Sequence, residues 1–201
     1  MRSSAAHAVP RESARAPFLV PRAPREAADD RERSFPKGIL AGLVGGLIGT
    51  VVMTEFQNAW SKASAALSRR QAAVEQSSHE QPQSEDATMK AAGKLAELVG
   101  ARLSYDQKKK LGPVVHYGFG TLQGAAYGAA MELFGVRGGF APALSLGVGL
   151  FALADELAVP ALGLSGRPGE YPLSAHLYGL ASHLVYGIST EAARRGLRAA
   201  L

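Results

Sequence analysis

Two uncharged runs constrain the fold of this chain more than any other feature. Residues 38–54 (GILAGLVGGLIGTVVMT) carry no charge and end directly before Glu55, and residues 138–154 end in the same way before Asp155 and Glu156. A helix needs about 20 mostly apolar residues to cross the hydrocarbon core of a bilayer. Two further apolar segments each open near a histidine. The sequence therefore predicts four membrane-spanning helices, at about residues 38–58, 113–134, 140–160 and 173–191.

The segment before the first span is polar. Residues 1–36 are rich in Arg, Ala, Pro and Ser and hold too few apolar residues to offset the entropy of ordering, which predicts a disordered tail. The membrane domain is expected over residues 37–198. The predicted fold class is all-α: a four-helix transmembrane bundle with glycine-rich helices, crossing the lipid bilayer several times.

A long polar loop, residues 61–112, joins the first two spans. Within it, Met89, Ala92 and Val99 recur at helical spacing and predict an amphipathic helix over about residues 86–101. This helix lies either against the bundle or the lipid surface, or on the protein's own loop. Ser104 to Gln107 has the capping-box pattern, so we expect the second long helix to start there, ahead of its membrane segment.

The glycines fall in rows at four-residue spacing. The chain has 23 glycines, and each interior Gly costs a water-soluble helix about 1 kcal/mol relative to Ala. In a membrane, rows of small residues let helix backbones approach closely. The rows predict either tight packing inside one chain or the face of a homo-oligomer. Their members are Gly42, Gly46, Gly120, Gly124 and Gly128.

The two halves of the membrane domain resemble each other. Aligning Glu55 with Glu156 places Gly46 on Gly147, and the spacing YGxxxE occurs once at Tyr127 and again at Tyr186. Two competing explanations are a duplicated pair of helices, as in transporters whose repeats are related by an axis along the membrane normal, and a chance alignment of low-complexity helices.

Acids and histidines are expected at one depth of the bundle, because spans one and three end on acids where spans two and four begin. Ionisable groups in a bilayer are costly and usually face the bundle interior, where they pair or mark a site. Three interpretations compete: a zinc, iron or manganese site, a proton or ion pathway, and a structural role at the membrane surface. The candidate residues are Glu55, His116, Asp155, Glu156, His176 and His183.

Several function classes lack their signatures. The chain has no cysteine, which excludes disulfides and thiolate chemistry, and it has no GxSxG elbow or Walker loop. Its formal net charge of +5 comes from basic residues in the tail, the loops and the C-terminus, as in membrane proteins, so nucleic acid is not predicted as a partner. We expect no catalytic residue and no cofactor other than a metal ion bound in the acid and histidine layer.

Three residue strings carry a family resemblance. The strings VHYGFG (115–120), AYGA (126–129) and SHLVYG (182–187), with Tyr171-Pro172 and the glycine-rich first span, resemble the YagU-like family of bacterial inner-membrane proteins. The likeness covers roughly residues 37–191. It implies an inner-membrane location and a contribution to envelope or acid-stress tolerance, and it assigns no catalytic residue.

Overall fold

The structure is a computed structural model that describes residues 33–72, 85–136 and 138–201. The predicted disordered tail falls almost entirely outside these residues. The described residues form five long helices and no strand, which confirms the all-α prediction. The helices are α1 (Phe35–Ala72), α2 (Ala87–Leu98), α3 (Tyr105–Leu133), α4 (Phe140–Leu150) and α5 (Leu173–Ala200). α4 continues through a π-helical segment, Phe151–Ala158, and a last α-helical turn, Val159–Ala161.

The helices are longer than the predicted spans. α1 continues to Ala72, into the segment predicted as loop, because residues 61–72 are mostly strong helix formers such as Ala, Leu, Arg and Gln, without Gly or Pro. α5 likewise runs to Ala200. The predicted amphipathic helix is present as α2, and α3 starts with the capping box of Ser104 and Gln107, as expected.

α1 lies at the centre of the bundle. α3 and α5 both pack along it, α4 packs on α5, and α2 packs on α3. Gly38 faces Gly128 and Gly46 faces Gly120, so α1 and α3 are antiparallel. α5 is antiparallel to both α1 and α4, which makes α1 and α4 parallel. The ends of these two helices therefore lie at the same end of the bundle.

The glycine rows form the contact between α1 and α3. A Cβ atom added at Gly46 would lie 2.6 Å from the carbonyl oxygen of Gly120, and one at Gly124 would lie 2.6 Å from the backbone nitrogen of Gly46. Both distances are too short for a real side chain, so the two backbones touch. Gly42 and Gly128 have the same backbone contacts one turn further along.

The contact between α4 and α5 is also a close approach of two backbones. A Cβ atom added at Gly147 would lie 2.6 Å from the carbonyl oxygen of His183, and one at Gly187 would lie 2.9 Å from the backbone nitrogen of Gly147. When Tyr127 is aligned with Tyr186, His183 occupies the position of Gly124 and Gly187 that of Gly128. By contact, however, His183 and Gly187 meet Gly147 as Gly120 and Gly124 meet Gly46, so the second contact is shifted by one helical turn relative to this alignment.

Two of the described helices are long and apolar enough to cross a membrane. These are Phe35–Ser68 in α1 and Phe140–Ala161 in α4 with its extension. α3 and α5 fail the same test of length and composition, because they carry more polar and charged residues.

Candidate functional site

Glu156 and His176 form the closest acid and histidine pair in the described residues. Nδ1 of His176 lies 2.7 Å from Oε1 of Glu156, and Nε2 lies 3.0 Å from the carbonyl oxygen of Pro168. A carbonyl oxygen only accepts, so Nε2 must donate. The remaining contact then needs one proton between Nδ1 and Oε1, carried either by an imidazolium or by a protonated carboxyl group. The pair therefore holds a proton.

Asp155 and His183 form a second, looser pair. Nδ1 of His183 lies 3.5 Å from Oδ2 of Asp155 and 2.9 Å from the carbonyl oxygen of Gly179. Both neighbours accept hydrogen bonds, so Nδ1 carries the hydrogen and Nε2 of the neutral ring is an acceptor. His183 is buried, with the ring of Phe151 6.2 Å away.

The π-helical segment Phe151–Ala158 directs both acids toward α5. A π-helix closes its hydrogen bonds between residues five apart, so it turns its side chains by a smaller angle per residue than an α-helix does. Asp155 and Glu156 consequently contact two histidines that lie seven residues apart on α5. Such segments occur frequently at functional sites.

Glu55 and His116 do not join these pairs. The side chain of Glu55 is exposed and forms no hydrogen bond or ion pair with another described residue. Nε2 of His116 is buried and has no hydrogen-bond partner among the described residues. A buried polar atom without a partner costs free energy, so a group outside the chain, such as water or a ligand, would satisfy it.

A cavity of about 800 Å³, here called the central cavity, adjoins His116, Asp155 and His183. It lies between the α1/α3 and α4/α5 pairs, with α2 along one side. Most of its wall is apolar. The apolar side chains include those of Met53, Leu95, Leu98, Val115, Phe119, Leu150, Val159 and Leu162. A smaller cavity of about 110 Å³ adjoins Glu156 and His176, and Asp155 contributes to both walls.

The candidate residues do not converge on one metal centre. Across residues 33–72, 85–136 and 138–201, no three histidine or acidic side chains come close enough together to hold a metal ion. The structure brings four of the six predicted residues together as two separate pairs, and it places His116 beside the second pair in the central cavity.

A buried ion pair lies at the opposite end of the bundle. Glu191 and Arg194 are each 3% exposed, and their closest contact, Nε to Oε2, is 2.8 Å. Tyr127 donates to the same carboxylate at 2.9 Å, as does the backbone nitrogen of Gly139. This pair was not predicted from the sequence, although the YGxxxE spacing followed by Arg194 was its visible signal.

A second ion pair lies beside it. Nε of Arg198 donates to Oε1 of Glu132 at 2.6 Å, and the backbone nitrogen of Ser34 donates to Oε2 at 3.0 Å. Glu132 is the acid of the first YGxxxE segment, as Glu191 is of the second. Both acids therefore join helix ends: Glu132 links α3 with α5 and the start of α1, and Glu191 links α5 with α3 and the start of α4.

A polar row joins the two ends of the bundle along α5. Ser182, Tyr186, Thr190 and Arg194 recur every four residues, and all four are buried. The hydroxyl group of Tyr186 donates to the carbonyl oxygen of Gly120 at 2.6 Å. This four-residue spacing was also visible in the sequence, but only the packing of α5 against α1 shows that the row faces inward.

A comparison with protein-family models, with curated proteins and with solved structures finds no match for this chain. The similarity to the YagU-like family therefore rests on the residue strings alone and stays a prediction.

Proposed function

We propose that the chain is an integral protein of the bacterial inner membrane, that α1, α3, α4 and α5 all cross the bilayer, and that it contributes to envelope or acid-stress tolerance. The distribution of apolar side chains between interior and surface supports the membrane placement.

The tight contact of α1 with α3 buries the five glycines of their rows, so a homo-oligomer would need another surface.

The interior of the bundle is small and polar, and its surface is apolar. Among the described residues, the buried hydrophobic side chains are three Ala, three Met, one Leu and one Tyr, with no Val, Ile or Phe. In water-soluble proteins those three types are among the residues most often buried. The exposed face of α1 instead carries Leu40, Val44, Leu47, Ile48, Val51 and Val52. Burying one such side chain contributes about 1.5–3 kcal/mol, a gain that lipid would supply here.

The lengths of the two less apolar helices support four crossings. α3 has 29 residues and α5 has 28, which at about 1.5 Å per residue exceeds a hydrocarbon core of about 30 Å. Their charged residues gather toward the helix ends, at Asp106–Lys110, Glu132 and Glu191–Arg198. The buried groups among them are paired inside the bundle.

Four single cysteines test the number of crossings, because the chain has none of its own. Arg102→Cys and Gly169→Cys probe one end of the bundle, and Val136→Cys and Leu201→Cys probe the other. With four crossings, an impermeant maleimide labels residues 102 and 169 from one side of the membrane and residues 136 and 201 from the other. If only α1 and α4 cross, residue 136 is labelled together with 102, and residue 201 together with 169. That pattern, or recovery of the protein in the soluble fraction, contradicts the proposal.

Proton handling is a second candidate function, favoured by the contacts of His176. A ring that must donate to Pro168 and share a proton with Glu156 is suited to taking up and releasing protons near neutral pH. The Asp155 and His183 pair lies one step further into the bundle, and the polar row of α5 continues from there. A metal site has less support, because no three ligands cluster in the described residues.

Purified protein in liposomes tests proton handling. A pH gradient should drive proton flux above that of empty vesicles, and His183→Ala should lower it. Glu55→Gln is the matched control, because Glu55 is exposed and unpaired in the described part of the chain. Flux equal to that of empty vesicles would remove this function and leave the membrane placement untouched.

A further inference from the structure

The central cavity has the size and the lining of a ligand site. Its volume of about 800 Å³ lies within the range of roughly 300–1,000 Å³ that is usual for small-molecule sites. Such sites are mostly apolar, with a few polar groups that orient the ligand. The lining here comes from all five helices, and its buried polar side chains, Thr50, Ser182 and His183, belong to α1 and α5.

The polar groups of the cavity wall indicate which functional group a ligand would need. Nε2 of His116 is buried without a partner, and Nε2 of His183 is an acceptor because Nδ1 carries the hydrogen. A hydroxyl group both donates and accepts, so it satisfies His116 in either tautomer. A ketone or an ether can only accept and would satisfy only the tautomer in which Nε2 donates.

The charges of the wall favour a neutral ligand. Asp155 and Lys94 are the charged side chains that line the cavity in the described residues. Lys94 donates to the carbonyl oxygen of Leu162, and Asp155 faces His183. An anionic ligand would approach the carboxylate of Asp155, and burying an uncompensated charge is costly. A hydroxyl group adds no charge beside either residue.

We propose that the central cavity binds an uncharged, lipid-soluble alcohol, with its hydrocarbon body along α2 and α4 and its hydroxyl group at His116. α2 contributes Leu95 and Leu98 to the cavity, and both side chains are more than half exposed. The hydrocarbon body of the ligand would cover them. This inference does not depend on proton handling. It depends on the membrane placement only as the source of the ligand.

Photolabelling in nanodiscs tests the proposal. The probes are hexadecanol and hexadecane that carry a diazirine at the same chain carbon. The labelling ratio is the labelling of Leu95 and Phe119 in the cavity divided by the labelling of Leu47 on the exposed face of α1. Dividing by Leu47 cancels any difference between the probes in partitioning into the bilayer. We expect the ratio to be about tenfold higher for the alcohol, which corresponds to about 1.4 kcal/mol, because only the alcohol can satisfy the buried polar atom of His116.

Two variants separate the cavity from the lipid surface. Ala154 lines the cavity, whereas Ala152 is exposed on the same segment and does not. Ala154→Phe should lower the labelling ratio for both probes, and Ala152→Phe should leave it unchanged. His116→Phe should lower the labelling ratio of the alcohol until it equals the labelling ratio of the alkane. Circular dichroism and gel filtration identify any variant that fails to fold.

Equal ratios for the two probes in the wild-type protein would overturn the proposal and indicate ordinary lipid chains in the cavity. A ratio that Ala154→Phe leaves unchanged would also overturn it. Neither outcome depends on whether His116→Phe folds. A failed membrane placement would appear differently, as protein that does not enter nanodiscs at all.

Discussion

The α1/α3 pair and the α4/α5 pair pack alike but end differently. Both pairs make backbone contact at the aligned glycines Gly46 and Gly147, which lie against Gly120 and Gly124 in the first pair and against His183 and Gly187 in the second. Nine residues further on, Glu55 is exposed and unpaired in the described part of the chain, while Glu156 lies 2.7 Å from His176. Equal spacing in the sequence thus leads to different surroundings.

The π-helical segment explains this difference. α1 is a regular α-helix from Phe35 to Ala72, whereas the second acid follows five residues of the segment Phe151–Ala158. The smaller turn per residue directs Glu156 toward α5. Small residues thus set the contact within each pair, and helix type decides which acid becomes part of a site.

Removing the carboxylate of Glu191 should have the largest effect on stability. Glu191→Ala leaves Arg194 buried and unpaired, which typically costs about 3–5 kcal/mol. Glu132→Ala, at the equivalent position of the first pair, should cost less, because the side chain of Arg198 is more exposed than that of Arg194, 14% against 4%. Unfolding in mixed micelles with increasing dodecyl sulfate measures both.

A double variant checks the cause. Glu191→Met with Arg194→Met removes both charges and should recover much of the loss, because replacing a buried pair by apolar side chains costs less than breaking it. If the double variant is as unstable as Glu191→Ala, the unpaired charge is not the reason.

Filling the helix contacts should have the next largest effect. Gly124→Ala places a methyl group against the backbone of Gly46, and overpacking of this kind costs about 1–3 kcal/mol. Gly118→Ala on the same helix meets open space and should stabilise α3 by about 0.5–1 kcal/mol.

A crowded and an open glycine of the α4/α5 pair can be compared in the same way, which tests whether both pairs depend equally on close backbone contact. Gly147→Ala meets the carbonyl oxygen of His183, whereas a methyl group at position 149 meets no atom within 4 Å. Similar losses for Gly124→Ala and Gly147→Ala in the unfolding assay support equivalent contacts. A loss in one pair alone would show that only that pair depends on close approach.

Replacing the two tyrosines of the YGxxxE segments by phenylalanine should lower stability by moderate and different amounts. Tyr127→Phe removes a donor from the carboxylate of Glu191 and should cost about 1.5–3 kcal/mol. Tyr186→Phe removes a donor from the carbonyl oxygen of Gly120 and should cost about 0.5–1.5 kcal/mol. Unfolding of both variants measures the difference, and a larger loss for Tyr186→Phe would contradict it.

Local patterns in the sequence predicted the helices well. Ser104 and Gln107 predicted the start of α3, and the periodicity around Met89 predicted α2, because caps and amphipathic faces depend on neighbouring residues. The extension of α1 to Ala72 was missed because its last turns are polar, although their residues favour a helix.

The site was only partly predictable. The acid and histidine pairs follow from the antiparallel order of α4 and α5, which a short connection favours. The directions of the Glu55 and Glu156 side chains could not be predicted, since no sequence pattern predicts a π-helical segment. The pairing of Glu191 with Arg194, and the inward direction of the row from Ser182 to Arg194, depend on which face of α5 meets α1, and periodicity alone does not decide this.

Glu156→Gln and Glu55→Gln test the difference between the two acids directly, with the smallest expected effect on stability. In the wild type, Nδ1 of His176 shares a proton with the carboxyl group of Glu156. A glutamine amide cannot share that proton, so Nδ1 of a neutral His176 ring should instead accept a hydrogen bond from the amide, and the ¹⁵N shifts of the ring should change. The ¹⁵N chemical shifts of the histidine rings, followed from pH 5 to 9, report this. Glu55→Gln should leave every histidine shift unchanged. Identical ¹⁵N shifts of His176 in wild type and Glu156→Gln would show that the two groups share no proton, and the difference between the two pairs would then not extend to their chemistry.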